Sequence, residues 1–216
     1  MPRTARHAPG GIAFHIINRG VGRMRLFHKP GDYLAFERVI EETLRLTPIR
    51  LCAYCLMPNH WHLILWPQRD GQLAAFMQRL TITHVRRWQE HRHVVGTGHL
   101  YQGRYKSFPV QCDHHYLTVC RYVERNALRA GLVRRAEHWR WSSLWRRANV
   151  DAETGMSLSV GPVDLPRDWI GSVNRPQSAK ELETIRVCIN RGRPFGGVAW
   201  TTQAVRRLGL ESSQRP

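Results

Sequence analysis

Two apolar, β-rich runs, Leu51 to Met57 and His60 to Trp66, are separated only by Pro58-Asn59, a pair suited to a tight turn. That spacing predicts a β-hairpin, and the rest of the chain must be arranged around it. Upstream, Ile12, Phe14 and Ile16 alternate with Ala13, His15 and Ile17, the period of a further strand from Ile12 to Asn18. After a turn-like Gly20–Gly22 segment, Pro30-Gly31-Asp32 supplies a break and an N-cap, and Tyr33, Phe36, Ile40 and Leu44 recur at helical spacing until Pro48. Beyond the hairpin, Leu73, Phe76, Met77, Leu80, His84 and Trp88 mark a second amphipathic helix. The polar stretch from His91 to Gly103 reads as a loop and Arg104 to Val110 as another strand. Asp113 can N-cap a last helix that runs to about Gly131, a plausible stop.

The order strand, helix, strand, strand, helix, strand predicts an α+β fold: a ferredoxin-like βαββαβ antiparallel sheet with an appended helix. A basic helical C-terminal extension follows. Residues 1–150 are expected to form the main domain, 151–176 a Pro- and Gly-containing linker, and 177–216 the extension. In the extension, Ala179 to Asn190 and Val198 to Leu208 read as two short helices around Arg191-Gly192-Arg193-Pro194.

The 216 residues hold 33 Lys+Arg against 16 Asp+Glu, a formal charge of +17, and only Lys29, Lys106 and Lys180 are lysines. A GC-rich genome explains the arginine bias but not the net excess. Arginine grips phosphate bidentately and stacks on bases, so a polyanionic partner is the leading inference. No apolar run approaches the roughly 18 residues of a membrane span, and the N-terminus lacks the apolar core of a signal peptide. A cytoplasmic, nucleoid-associated location without a membrane partner is therefore expected. Five scattered cysteines argue for reduced thiols.

His60 and His62 lie two apart on a predicted strand, so both imidazoles can face one ion. Taken alone, the pair reads more readily as partly exposed histidines on a basic protein. The helix from Asp113 adds a second feature: Tyr116, Cys120, Val123 and Ala127 form its apolar stripe, and another face carries His115, Thr118, Tyr122, Asn126 and Arg129. Tyr122 and Asn126, at i and i+4, set a phenol beside an amide oxygen that can ligate a metal. A divalent ion on His60, His62 and Asn126 would let a phenol attack a phosphodiester. A structural zinc site on Cys52, Cys55, His60 and His62 is disfavoured by the short spacing and by the opposite facing of the two cysteines on a regular strand.

The chain resembles the REP-associated tyrosine transposases, single-tyrosine members of the HUH endonuclease superfamily. The matching segments are Asn18-Arg19-Gly20, Leu56-Met57-Pro58-Asn59-His60-Trp61-His62, Gln102-Gly103-Arg104-Tyr105-Lys106-Ser107-Phe108, and the run from Arg121 to Val133 that includes Tyr122-Val123-Glu124-Arg125-Asn126-Ala127. The tail from Arg191 to Gly196, with Arg207 to Ser212, resembles the C-terminal extension of one branch of that family. Many relatives carry Pro where Ala127 stands; Ala, a good helix former, is tolerated there.

The resemblance implies His60 and His62 as ligands of a divalent metal ion (Mg²⁺ or Mn²⁺), Asn126 as the third ligand, and Tyr122 as the nucleophile that forms a 5′-phosphotyrosine. It also implies a single-stranded DNA hairpin, a repetitive extragenic palindrome, as substrate, with the protein a monomer or homodimer. Candidate DNA contacts are Arg19, Arg104, Tyr105, Lys106, Arg121, Arg125 and Arg129, with Arg191 and Arg193 in a short match to a minor-groove-binding arm. Trp139, Trp141 and Trp145 offer stacking surfaces, though core packing is the expected fate of at least two. The alternative from another class is a non-catalytic regulator that binds palindromic repeats with the same fold.

Overall fold

The hairpin at Pro58-Asn59 is present in the computed structural model, which describes residues 8–149 and 157–214. Strand β2 (Arg50–Met57) pairs antiparallel with β3 (His60–Trp66), Met57 standing opposite His60. Strand β1 (Ala13–Arg19) pairs antiparallel with β3 on one side and with β4 (Lys106–Val110) on the other, giving the order β2-β3-β1-β4. With helices α1 (Pro30–Leu46) and α2 (Gln72–His91), this is the expected βαββαβ arrangement. The N-cap of α1 differs from expectation. Lys29 occupies the cap, and Asp32 sits inside the first turn, its carboxylate accepting from the backbone N–H groups of His28 at 2.7 Å and Lys29 at 3.3 Å. A carboxylate there also complements the positive end of the helix dipole.

Period-2 alternation sends the sheet's side chains to two cores. Phe14, Ile16, Leu51, Leu56, Trp61, Leu63 and Leu65 pack under α1 and α2. Ala13, Cys55, Ile64, Phe108 and Val110 pack on the opposite face, where α3 (His114–Glu124) lies. A register shift between Leu51 and Ala53 breaks the alternation, so Cys52 joins Cys55 in this second core instead of facing away from it.

The single helix expected from Asp113 to Gly131 is two. Asp113 caps α3 by accepting from the His115 N–H at 2.8 Å, the helix breaks at Arg125, and α4 (Asn126–Arg129) ends before Gly131, whose φ of +70° suits glycine. Among the tryptophans, Trp139 donates its Nε1–H to the Leu56 carbonyl at 2.9 Å and Trp141 stacks on Tyr33 with ring centroids 4.7 Å apart. Both are partly buried and pack against the first core.

The segment expected as a linker is packed where it is described; residues 151–156 lie outside the described residues. Helix α6 (Trp169–Asn174) buries Trp169 and Val173 in the second core with Leu144 of α5 (Ser143–Ala148). Apolar side chains at helical spacing outweigh the local Pro and Gly content. The extension shares this core too, since Ile185 and Cys188 of α7 (Ala179–Arg191) and Phe195 belong to it. The Arg191-Gly192-Arg193-Pro194 run is therefore no loose arm. Gly192, at φ +70°, terminates α7, and Phe195 bridges to Val110 at the edge of β4, its N–H donating to Pro109 at 2.9 Å and its carbonyl accepting from Gln111 at 3.0 Å. Helix α8 (Val198–Leu208) follows. No helix among the described residues is long and apolar enough to cross a membrane.

His84 of α2 is buried between Phe27 and Phe36 and bonded to the Tyr101 hydroxyl at 2.5 Å. Burial pushes its imidazole down to about 3 from an ordinary 6.5. Because the unfolded chain binds the proton more readily, His84 leaves stability undiminished above pH 6.5 and subtracts from it as pH falls towards its folded value of about 3. Urea unfolding against pH is expected to lose up to about 1.4 kcal/mol per pH unit from this group, and His84→Gln to flatten the profile by that amount.

Candidate active site

His60 and His62 project from β3 towards α3, their ring centroids 5.1 Å apart. Tyr122, in the last turn of α3, presents its ring edge-on to His62 at 5.9 Å. The sheet therefore supplies the histidine pair and the appended helix brings the phenol to it. Tyr122 is 7% exposed, yet its hydroxyl makes no hydrogen bond among the described residues. The ring is buried while the oxygen is not among the buried atoms that lack a partner, unlike the buried, hydrogen-bonded hydroxyls of Tyr54 and Tyr101.

The imidazoles are held by their Nδ1 atoms. His60 Nδ1 lies 2.6 Å from Asn59 Oδ1, and His62 Nδ1 lies 2.8 Å from Nε2 of His15 on β1. Both Nε2 atoms are left without a hydrogen-bond partner among the described residues. Burial, followed by the charges of Arg19 and Arg129, pushes His60 down to about 4. Burial and the neighbouring imidazoles His15 and His60 hold His62 well below its ordinary value. Neutral imidazoles with free Nε2 lone pairs are what a metal requires.

Asn126 opens α4, is buried, and has an Nδ2 atom without a hydrogen-bond partner among the described residues. An amide left this way is suited to turn its oxygen towards a cation. The donor types of the three residues, two imidazole nitrogens and an amide oxygen, suit a hard divalent ion. They lie apart from Asp113, His114 and His115, the one trio of His, Cys, Asp or Glu side chains among the described residues whose ligand atoms converge within 4.8 Å. That trio is engaged in capping α3: Asp113 Oδ1 also meets His115 Nδ1 at 2.8 Å. The sulfurs of Cys52 and Cys55 form no such cluster with His60 and His62.

Arg129 covers the nucleophile candidate. Its guanidinium carbon is 4.1 Å from the Tyr122 ring centroid, and its Nη1 donates to the Tyr122 carbonyl at 3.4 Å. Arg19 ends β1 opposite His60. Arg104 and Lys106 are exposed, flank the partly buried Tyr105, and line a cavity of about 280 Å³ with Ile17, Asn18 and Arg19. Lys106 Nζ is 3.5 Å from Asn190 Oδ1, so the end of α7 forms the rim of that cavity. Arg191, next in sequence to Asn190, is exposed, and so is Arg193, which lines a separate cavity with His114 and His115.

Arg121 and Arg125, expected among the DNA contacts, are placed differently. Arg121 donates to the carbonyls of Arg175 at 3.2 Å and Pro176 at 2.8 Å; Arg125 donates to Val173 at 3.0 Å and to Asn174. Both satisfy carbonyls that α6 leaves open at its C-terminal end, a structural use of arginine. The sequence reading missed His15. The available signal was its position two residues before Ile17, which stands opposite His62 across the β1–β3 ladder.

The family model described as "Transposase IS200 like" matches residues 10–126, more than half of the chain. No curated protein matches the chain. A solved structure of a REP-associated tyrosine transposase bound to a REP hairpin superposes with a TM-score of 0.56 at 17% identity, covering 83% of this chain and 100% of that one. A candidate transposase from Deinococcus radiodurans is also 17% identical, with a TM-score of 0.40 over 57% of this chain and 94% of its own.

Proposed function

Because the chain belongs to the IS200-like transposase family, we propose that it is a metal-dependent nicking and strand-transfer enzyme for single-stranded DNA, with Tyr122 as nucleophile. The observation that carries this reading is Tyr122, whose ring is largely buried and whose hydroxyl is without a hydrogen-bond partner among the described residues, 5.9 Å by ring centroid from His62, one of two histidines whose Nε2 atoms are also without partners among the described residues.

In this mechanism Tyr122 Oη gives up its proton to solvent and attacks the phosphorus in line, the P–O3′ bond breaks, and the departing oxygen takes up a proton from solvent to become a free 3′-hydroxyl. The phosphate stays on Tyr122 as a 5′-phosphotyrosine. His60, His62 and Asn126 would hold a Mg²⁺ or Mn²⁺ ion, which supplies charge neutralisation and polarisation of the scissile phosphodiester. Arg129, stacked on the phenol ring, keeps the nucleophile from swinging away and adds positive charge beside the reacting phosphate. Arg19, Arg104 and Lys106 line the approach with charge for the DNA backbone. A second 3′-hydroxyl reverses the first step: it attacks the phosphotyrosine and Tyr122 leaves. One diester is exchanged for another, so no nucleotide hydrolysis is needed.

A REP hairpin bound to the structural neighbour supports a hairpin-forming palindrome as substrate here. Incubation of the protein with labelled single-stranded hairpins from the flanking genome is expected to give a covalent adduct on a denaturing gel with Mg²⁺ or Mn²⁺ and none with EDTA. Tight hairpin binding with neither adduct nor cleavage under any metal would leave a DNA-binding regulator instead.

A further inference from the structure

His15 has no part in the mechanism above, yet it is fully buried and makes the only hydrogen bond to the His62 ring among the described residues, Nε2 to Nδ1 at 2.8 Å. It reaches His62 diagonally across the β1–β3 ladder, and its ring is fixed between Phe108, at 4.8 Å by centroid, and the edge of Tyr122, at 6.3 Å. It does not complete a three-histidine site, since the ligand atoms of His15, His60 and His62 are not a convergent trio.

One proton bridges the two imidazoles, and its placement decides whether His62 can bind a cation. If His62 donates from Nδ1, its Nε2 carries a lone pair. If His15 donates from Nε2, His62 must hold its own proton on Nε2 and ceases to be a ligand. His60 has no such choice: an amide oxygen can only accept, so Asn59 Oδ1 fixes its proton on Nδ1.

We propose that His15 is the positioning residue of the metal site: its Nε2 accepts the Nδ1–H of His62, which sets that ring's tautomer and plane and frees Nε2 for the divalent ion. The inference rests on the metal site proposed above. His15 then holds its own proton on Nδ1, an atom that is buried without a partner among the described residues.

The test combines Mn²⁺ titration of the full chain, followed by electron paramagnetic resonance, with ¹⁵N spectra of the His62 ring in the metal-free protein. All proteins carry His114→Ala to silence the separate surface trio. His15→Phe is expected to weaken Mn²⁺ binding about 10- to 100-fold. His15→Gln, whose amide oxygen reaches roughly where Nε2 sits, should stay within about threefold of the parent. His62 should be protonated on Nδ1 in the parent and in His15→Gln, and should revert in His15→Phe to Nε2–H, the tautomer a free histidine prefers. A merely structural role for His15 would not move this spectrum. An Nε2–H tautomer in the parent overturns the inference. Unchanged binding in a folded His15→Phe overturns it alone when His60→Ala abolishes binding. Unchanged binding in His60→Ala overturns the metal site itself, and the inference with it.

Discussion

Tyr122→Phe is expected to abolish the covalent protein–DNA adduct and to lower strand cleavage by a factor on the order of 10³ or more, while hairpin affinity and folding stay near those of the parent. The substitution removes one oxygen. That oxygen makes no hydrogen bond among the described residues, so its loss leaves no buried partner unsatisfied. The phenyl ring retains its contact with Arg129 at 4.1 Å and its edge-on placement against His62 at 5.9 Å. Thermal unfolding should therefore shift little, and a gel-shift assay with the hairpin should be almost unchanged. An adduct that persists in Tyr122→Phe would assign the nucleophile elsewhere on the chain. Loss of the adduct together with loss of folding would instead give the hydroxyl a structural role.

The largest effect on stability is expected two residues further along the same helix. Glu124 is 1% exposed, and its carboxylate accepts from Ser143 Oγ at 2.5 Å, Trp169 Nε1 at 2.6 Å and Arg147 Nε at 3.3 Å. One side chain of α3 thus binds α5 and α6. Glu124→Ala would leave an arginine, an indole N–H and a hydroxyl without their common acceptor, and would open a void in the second core. Removing one partner of a buried charged pair costs about 3–5 kcal/mol, a large part of the roughly 5–15 kcal/mol that holds a domain together. Urea denaturation should show the midpoint falling accordingly, with the slope unchanged. Adduct formation should fall with it, because α3 also carries Tyr122. Glu124→Gln keeps one accepting oxygen and should recover part of the loss.

Much of this arrangement was legible in local patterns. The hairpin follows from Pro58-Asn59 between two apolar runs, and the alternation in β1 and the helical recurrence in α1 and α2 complete the order of the sheet. The pairing of His60 with His62 is readable for the same reason, because a strand's period of two puts both on one face. Tyr122 and Asn126 were readable as i and i+4 neighbours, although the helix is broken between them at Arg125. Glu124 was not readable. In sequence it is one more charge on a polar helix, and only the partners arriving from Ser143, Arg147 and Trp169 show that it is buried.

The residues that misled the sequence reading share one cause. Arg121 and Arg125 look like phosphate ligands in a chain of net charge +17, but the carbonyls they satisfy come from residues 173–176. Arg191-Gly192-Arg193-Pro194 looks like a flexible arm, but Gly192 ends a helix and Phe195 docks on the edge of β4. Periodicity and turn chemistry act over a few residues, so the sequence by itself determined the strands, the helices of the first core and the histidine face. Partner choice acts between residues 47 apart for His15 and His62, or 45 apart for Glu124 and Trp169, and no local pattern records it. Only the tertiary structure decided which arginines bond to backbone carbonyls, that the C-terminal segment shares the core, and which histidine stands behind a ligand.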